Sequence, residues 1–250
     1  MPQYVLLDPK QHQQTKIVTH DNFRHTAALH QMALTVNEFG HASSSYPIVF
    51  MKDPKQGQFR AVAMLGLMPG KNLFYSEQEW LGIHVPDAIL RAPFELGPDP
   101  TQDKTLTLYI DEQSEYVSIE QGEALFDGQE PTQFLYQVQQ KVADYYQNEL
   151  ATQQFTQQLI EHKLLHEIDL LVAFDDGKKN RFKGMYTINE EALRELSDDT
   201  VLAFSKLNYL MPVHAMLASL NNLNRLMKLH NNSFQPKISG IQMQFANEEI

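Results

Sequence analysis

Residues 168–188 read IDLLVAFDDGKKNRFKGMYTI. Two apolar runs, at 168–174 and 182–188, flank an Asp-Asp-Gly turn at 175–177. Asp-Gly between two such runs is a strong hairpin signal, because glycine adopts the positive φ that tight hairpin turns require. The stretch therefore predicts a β-hairpin, and the basic residues that follow the turn are expected on its solvated tip.

Helical signals surround the hairpin. Residues 131–164 repeat apolar side chains at a period near 3.6 and place glutamines on the opposite face, which is typical of an amphipathic helix. Asn189, followed by two glutamates, is a suitable N-cap, and Pro212 fits the first turn of a final helix. The chain after residue 129 is therefore predicted to be mainly helical, with the hairpin inserted.

The first half of the chain is predicted to be rich in strands. Apolar runs at 46–51 and 59–67 and the alternating residues 105–110 are typical of β-structure. Between residues 23 and 39 the apolar side chains instead recur at a nearly helical spacing, which predicts a helix there.

Together these patterns predict an α+β fold, in which a strand-rich N-terminal half packs with a mainly helical C-terminal half that contains the hairpin. A chain of 250 residues can bury a sizeable core, and we expect a single domain over residues 1–250. A soft internal boundary near residues 127–131 separates the strand-rich half, 1–128, from the helical half, 129–250.

Composition narrows the class of protein. The formal net charge of −11 disfavours binding to nucleic acid and to anionic membrane surfaces. The chain has no cysteine, which rules out disulfides and thiolate sites and fits a cytoplasmic protein. No apolar segment approaches the ~20 residues that span a bilayer, and the N-terminus lacks the features of a secretory signal. We expect a soluble, acidic, cytoplasmic protein without membrane insertion.

Several short motifs, in their order and spacing, carry a family resemblance. They are Glu38-Phe39, YPIVF at 46–50, LGL at 65–67, KNLF at 71–74, Trp80, LRAPF at 90–94 and GMYTINEEALREL at 184–196. The chain resembles the SapC-like proteins of bacteria over nearly its whole length. The resemblance implies an accessory role near nutrient uptake or envelope physiology in a Gram-negative bacterium. It also implies a tryptophan-halogenase-like flavoprotein or a TonB-dependent-receptor system as candidate partner, and no established catalytic residues or cofactor.

Six residues in and near these motifs are candidates for binding a ligand: Glu38, Asn72, Phe74, Trp80, Arg91 and Phe94. Glu38 and Arg91 both lie among apolar neighbours, and a buried carboxylate needs a partner. They form either a structural ion pair or an anion-binding site in which Trp80 is a stacking wall for the ligand of Arg91. If Glu38 is its buried partner, Arg91→Ala should cost roughly 3–5 kcal/mol of stability.

Signatures of catalysis are missing from the sequence, which has no G-x-S-x-G elbow, no Walker loop and no G-x-G-x-x-G. His162 and His166 stand four apart on a predicted helix, the spacing of two metal ligands, and His25 is a further candidate, although the HExxH order is absent. A non-catalytic accessory or binding protein, acting on a small molecule or a partner protein, is therefore the favoured function. A metal-dependent enzyme with a non-local His/carboxylate site and a surface-layer-associated structural component are the alternatives.

Overall fold

A computed structural model of the chain describes residues 3–18, 23–53, 55–77 and 79–246. Its strands are β1 (Tyr4–Leu6), β2 (Lys16–Ile17), β3 (Gln31–Ala33), β4 (Ile48–Lys52), β5 (Phe59–Met64), β6 (Phe94–Pro98), β7 (Leu106–Asp111), β8 (Val117–Ser118), β9 (Glu123–Ala124), β10 (Phe126–Asp127), β11 (Glu130–Pro131), β12 (Leu165–Phe174), β13 (Lys179–Ile188) and β14 (Ile238–Phe245). Its α-helices are α1 (Phe39–Ala42), α2 (Asp87–Leu90), α3 (Gln133–Glu161), α4 (Glu190–Arg194), α5 (Asp198–Lys206), α6 (Leu210–Ser219) and α7 (Leu223–Ser233). Short 3₁₀ turns lie at Arg24–Thr26, Val36–Glu38 and Leu220–Asn222.

A six-stranded sheet in the order β14-β12-β13-β4-β5-β3 organises the fold. The predicted hairpin is confirmed as β12 and β13, which pair antiparallel on either side of the Asp-Asp-Gly turn. Strand β13 then pairs with β4 through Met185 opposite Met51 and Tyr186 opposite Phe50. Strands from both sides of residues 127–131 therefore share one sheet, and the fold is mixed α+β as predicted.

The main core lies on this sheet. Alternate residues of β12, including Leu170 and Val172, are fully buried, as a strand with one face on a core requires. Helix α3 contributes Phe155 and Leu159, and the ring of Phe155 makes an edge-to-face contact with Phe39 at 6.0 Å between centroids. Burial of these apolar side chains supplies the main driving force for assembling the sheet and helices.

A smaller second core lies under the sheet β1-β7-β6. Phe94 and Ile110 from that sheet meet Leu135 and Val142 from the first half of α3. Because the later turns of α3 pack into the main core, this one helix spans both apolar clusters. The Thr132 side chain caps its start by accepting a hydrogen bond from the backbone N–H of Leu135 at 3.2 Å.

The helix predicted between residues 23 and 39 is wrong. That segment forms two 3₁₀ turns and the short strand β3, which hydrogen-bonds along the edge of β5. The apolar side chains recur at a helical spacing, but in the folded chain the edge of β5 provides hydrogen-bond partners for the N–H and C=O groups of β3. A tertiary pairing has therefore overridden a local pattern.

Candidate functional site

A cavity of about 580 Å³ opens between α2, the middle of α3 and the end of β2. Its volume falls within the range that small-molecule sites usually occupy. Its lining residues are Ile17, Val18, Phe23, Asp87, Ile89, Leu90, Arg91, Ala92, Tyr116, Lys141, Asp144, Tyr145 and Asn148. We call this space the Arg91 cavity.

Arg91 lies at the end of α2, and its guanidinium lies over the ring of Tyr145 at 5.1 Å from the ring centroid. Such cation–π stacking fixes the plane of the guanidinium and leaves its N–H groups to bind an acceptor. Its ionic partner is Glu95, with 3.8 Å between Nη1 and Oε1, and the Arg91 side chain is 29% exposed. The contact with Glu95 is therefore a loose surface pair that a ligand carboxylate can replace.

Helix α3 supplies the opposite wall of the Arg91 cavity. Lys141, Asp144, Tyr145 and Asn148 fall on one face, as spacings of three and four require. The ammonium of Lys141 forms no ion pair with any described residue, whereas Asp144 accepts a hydrogen bond from Gln140 at 2.9 Å. The helix thus adds a second cation to the site.

Tyr116, which lines the cavity, and His25, which contacts Tyr116 from outside the lining, are held in their neutral forms. Burial, and then the charge of Glu115, raises the pKa of Tyr116 to about 12, and its hydroxyl lies 2.8 Å from Nδ1 of His25. Burial lowers the pKa of His25, so this imidazole is uncharged at neutral pH. Tyr116 therefore contributes a neutral phenol to the lining of the cavity.

Glu38 lies behind the cavity, and its predicted pairing with Arg91 is wrong. Its Oε2 accepts hydrogen bonds from the backbone N–H of Thr35 at 2.8 Å and from the hydroxyl at 2.9 Å. Its Oε1 accepts one from the N–H of Asp87 at 2.8 Å and lies 2.9 Å from Nε2 of His84. Four polar groups thus solvate the carboxylate, so burial is achieved without a guanidinium.

The charge state of Glu38 follows from these contacts. Burial pushes the pKa of Glu38 upward, but the hydrogen bonds from His84, Asp87 and Thr35 outweigh that effect and hold its pKa below the ordinary value. The negative charge of Glu38 also affects the pKa of the neighbouring carboxyl group of Asp87. Burial, and then the Glu38 carboxylate, raises the pKa of Asp87. Asp87, which lines the Arg91 cavity, is therefore a weaker acid than an exposed aspartate.

Trp80, Phe74 and Asn72 hold the 65–92 segment together and do not line the Arg91 cavity. The indole N–H of Trp80 donates to the hydroxyl of Tyr46 at 2.7 Å, and its ring stacks on Phe74 at 6.3 Å. The Asn72 side chain accepts from the backbone N–H of Phe74 at 2.9 Å and donates to the carbonyl of Thr26 at 3.1 Å. Phe74 thus contacts both Trp80 and Asn72, whose further partners Tyr46 and Thr26 lie earlier in the chain.

Phe94 belongs to the second apolar core, where it is 3% exposed. Of the six residues predicted to bind a ligand, Arg91 alone is among those that line the cavity.

Tyr145 and Lys141 were missed as site residues in the sequence analysis, because Tyr145 fits the apolar stripe of α3 and Lys141 fits its solvated face. Their spacing of four residues, which places them on one side of the helix, was the signal available.

The histidine pair predicted at metal-ligand spacing on a helix is also wrong. Helix α3 ends at Glu161, Lys163 has a positive φ of 54°, and His166 lies in β12. His162 makes an edge contact with Phe204 at 5.3 Å, whereas His166 stacks on Phe245 at 4.4 Å. Over the described ranges, no three His, Cys, Asp or Glu side chains are grouped so as to hold a metal ion.

None of the helices in the described part of the chain has both the length and the apolar character that crossing a membrane demands. Even α3, with 29 residues, exposes a glutamine-rich polar surface.

Comparisons with known proteins gave one match. Neither the search of curated proteins nor the search of solved structures found a significant similarity. The model of the SapC family matches residues 7–226, which is most of the 250-residue chain. The chain therefore belongs to the SapC family.

Proposed function

We propose that this SapC-family protein is a non-catalytic binding protein that holds a small organic anion, with an apolar or aromatic part, in the Arg91 cavity. The observation that carries the proposal is the guanidinium of Arg91, which lies over the Tyr145 ring at 5.1 Å on the wall of a 580 Å³ cavity. A planar guanidinium held by an aromatic ring is suited to bidentate recognition of a carboxylate.

The charges around the cavity favour an anion with one acidic group. Arg91 and Lys141 supply cations from two walls. The lining also includes two carboxyl groups, Asp87 and Asp144, of which Asp144 is exposed and accepts a hydrogen bond from Gln140. A ligand carboxylate is therefore expected to bind beside Arg91 and Lys141, the two cations of the lining.

The remaining walls favour an apolar body on the ligand. Ile17 and Ile89 are buried residues that contribute to the lining, and Phe23 and Tyr145 add aromatic surface. Transfer of an apolar group from water to such a surface is favourable by about 25 cal/mol per Å². An aromatic carboxylate combines both requirements.

The non-catalytic part of the proposal rests on the chemistry of the lining. Among the described lining residues there is no Ser, Thr, Cys or His side chain, so the lining lacks the Ser-His or Cys-His arrangement of nucleophile and base. The phenol of Tyr116, with its pKa raised to about 12, stays protonated at neutral pH.

The proposal places the protein in the cytoplasm, in a pathway of nutrient uptake or envelope physiology. Membership of the SapC family and the lack of cysteine support this setting. A tryptophan-halogenase-like flavoprotein or a TonB-dependent-receptor system is the proposed partner. Cell fractionation combined with affinity purification of the tagged chain tests both points, and recovery in the envelope fraction without such a partner would contradict them.

Calorimetric titration tests the ligand class directly, with benzoate and phenylacetate as probes and benzamide as the uncharged isostere. The carboxylates should bind, and benzamide should bind at least tenfold more weakly, because the charge-assisted contact to Arg91 is lost. Arg91→Ala should weaken carboxylate binding by a similar factor.

Arg194→Ala is the matched control. Arg194 forms the same i,i+4 pair, at 3.7 Å from Glu190, but its side chain is 71% exposed and lies outside the Arg91 cavity. Equal binding of benzamide and benzoate, or unchanged binding by Arg91→Ala, refutes the proposal. So does the absence of carboxylate binding up to about 10 mM.

A further inference from the structure

Two more cavities follow α3 away from the Arg91 cavity. The first, of about 560 Å³, is lined by Ala33, Leu34, Gly57, Gln58, Phe59, Arg60, Ala61, Tyr145, Glu149, Thr152, Gln153, Thr156, Gln157 and Ile160. The second, of about 490 Å³, is lined by Gln153, Gln154, Gln157, Gln158, Leu207 and Tyr209. Because Gln153 and Gln157 line both, the two spaces adjoin, and we call them together the glutamine groove.

The lining of the glutamine groove is polar but nearly uncharged. Nine of the 29 residues of α3 are glutamine, and four of them line the groove. Arg60 and Glu149 are the only charged residues among the described lining, and their charges are opposite. The groove therefore attracts neither anions nor cations strongly.

Hydrogen-bonding side chains of the groove divide into engaged and free groups, and Gln157 and Gln158 are engaged because both donate to the carboxylate of Glu161, at 3.1 and 2.7 Å. The hydroxyls of Thr152 and Thr156 donate to backbone carbonyls of α3, at 2.6 and 2.7 Å. In contrast, the side-chain amides of Gln153 and Gln154 form no hydrogen bond with any residue that the structure describes. Each primary amide presents donors and an acceptor side by side.

One tyrosine lines each of the two cavities of the groove. Tyr145 lines the first cavity and Tyr209 the second. Along α3, the lining runs from Tyr145 to Gln158, which at the rise of an α-helix is about 20 Å. Tyr145 is 5% exposed and lies under the guanidinium of Arg91, so Tyr209 supplies the accessible aromatic surface. The occupant is therefore an elongated molecule that brings a flat, weakly apolar face to Tyr209.

We propose that the glutamine groove is a binding site for a neutral oligosaccharide. A sugar hydroxyl both donates and accepts, which matches the amide side chains, and the C–H face of a pyranose ring packs on an aromatic ring. An acidic polysaccharide is disfavoured because the chain carries a net charge of −11 and the groove supplies one arginine against one glutamate.

The site is separate from the one in the proposed function. Both spaces share Tyr145, but Arg91 and Lys141 line only the Arg91 cavity, whereas the glutamines line only the groove. Substitutions on the two sides therefore distinguish the two proposals.

Titration of the ¹⁵N-labelled full chain by NMR tests the inference, with maltotetraose, cellotetraose and tetra-N-acetylchitotetraose as neutral probes and tetragalacturonate as the acidic probe. At least one neutral probe should bind and shift the amide resonances of α3 around Gln153 and of Tyr209. The double variant Gln153→Ala/Gln154→Ala should weaken that binding at least fivefold, because each lost amide contact contributes on the order of 1 kcal/mol.

The control is Gln139→Ala, an exposed glutamine of the same helix that lines neither cavity. Gln139→Ala and Arg91→Ala should both bind the neutral probe as the parent does. Three results would overturn the inference: no neutral probe binds up to about 10 mM, the double variant binds as tightly as the parent, or tetragalacturonate binds most tightly.

Discussion

The Nε2 atom of His84 lies 2.9 Å from Oε1 of Glu38, and the two residues are 46 positions apart in the chain. The same carboxylate oxygen accepts the N–H of Asp87, the first residue of α2. Through these two contacts, the Val36–Glu38 turn fixes the segment that leads into Arg91. The geometry of the Arg91 cavity thus depends on a buried carboxylate outside its lining.

Glu38→Gln should lower the free energy of unfolding by about 2–3 kcal/mol, because an amide cannot accept all four hydrogen bonds that reach the carboxylate. Urea denaturation of the purified chain measures the loss. Glu95→Gln is the control, since Glu95 is 42% exposed and its pair with Arg91 is loose; it should change stability by less than about 0.5 kcal/mol. Equal effects of the two substitutions would show that the Glu38 contacts are not stabilising.

Acid should destabilise the parent through Glu38. Because the pKa of Glu38 is lowered in the folded chain, its contribution is present above the pKa of the unfolded chain and is lost as the pH falls through the folded value. The free energy of unfolding, measured from pH 7 down to about 3, should therefore fall less steeply in Glu38→Gln than in the parent. Parallel curves for the two proteins would contradict the lowered pKa.

Arg91→Ala should cost only about 1 kcal/mol of stability, less than the 3–5 kcal/mol expected for a buried partner of Glu38. The guanidinium is 29% exposed, its contact with Glu95 is 3.8 Å long, and the stack on Tyr145 is the main interaction lost. Chemical denaturation of Arg91→Ala and Arg194→Ala side by side measures the difference. A loss of 3 kcal/mol or more from Arg91→Ala would restore a structural role for this arginine.

Gly82→Ala should destabilise the chain by about 2 kcal/mol or more, because a Cβ at this position clashes with the Tyr46 hydroxyl and lies 2.7 Å from the indole nitrogen of Trp80. Tyr46 is fully buried and its hydroxyl links Trp80 to the carbonyl of His84, so it cannot move freely. Thermal unfolding followed by the fluorescence of Trp80, the only tryptophan, measures the effect. Gly240→Ala, where a Cβ meets nothing within 4 Å, is the control and should leave the melting temperature unchanged within about 2 °C.

Arg181→Ala should destabilise by about 3 kcal/mol, because it leaves the buried carboxylate of Asp169 without its ion pair. Asp169 is 2% exposed, its Oδ2 accepts from Nε of Arg181 at 2.7 Å, and its Oδ1 has no partner among the described residues. Lys183→Ala, a neighbouring exposed cation of β13, should change stability by less than about 0.5 kcal/mol. If urea denaturation gives equal values for both, water replaces the guanidinium at Asp169.

The parts of the fold that are determined by residues close together in the sequence could be predicted from it. The β12–β13 hairpin follows from two apolar runs and the positive φ of Gly177, and the start of α4 follows from Asn189, whose side chain accepts from two backbone N–H groups. In both places the deciding contacts lie within a few residues. The expectation of a solvated hairpin tip holds for Lys178, which is 78% exposed, but Arg181 of the same cluster pairs with a buried aspartate.

The candidate site could be predicted only in part. The apolar neighbours of Glu38 favoured its burial, and Glu38 is buried. Its partner His84 comes from a segment far along the chain, and the apolar neighbours do not identify the group that binds the carboxylate. His162 and His166 were placed on one helix because the period of α3 continues past its end, where the positive φ of Lys163 redirects the chain into β12. The Arg91 cavity is formed by residues of α2, β2 and α3, which are distant in the sequence. A pattern within one short segment therefore cannot predict it.

The pairing of β4 with β13 bears on how the chain is made. Ile48, Val49 and Phe50 leave the ribosome long before Met185 and Tyr186, to which β4 is joined in the finished sheet. During that interval the β4 edge that later pairs with β13 is without its native partner, which is the kind of surface that aggregates in partly folded chains. Aggregation of the incomplete chain through β4 is therefore the expected failure if the second half is delayed or truncated.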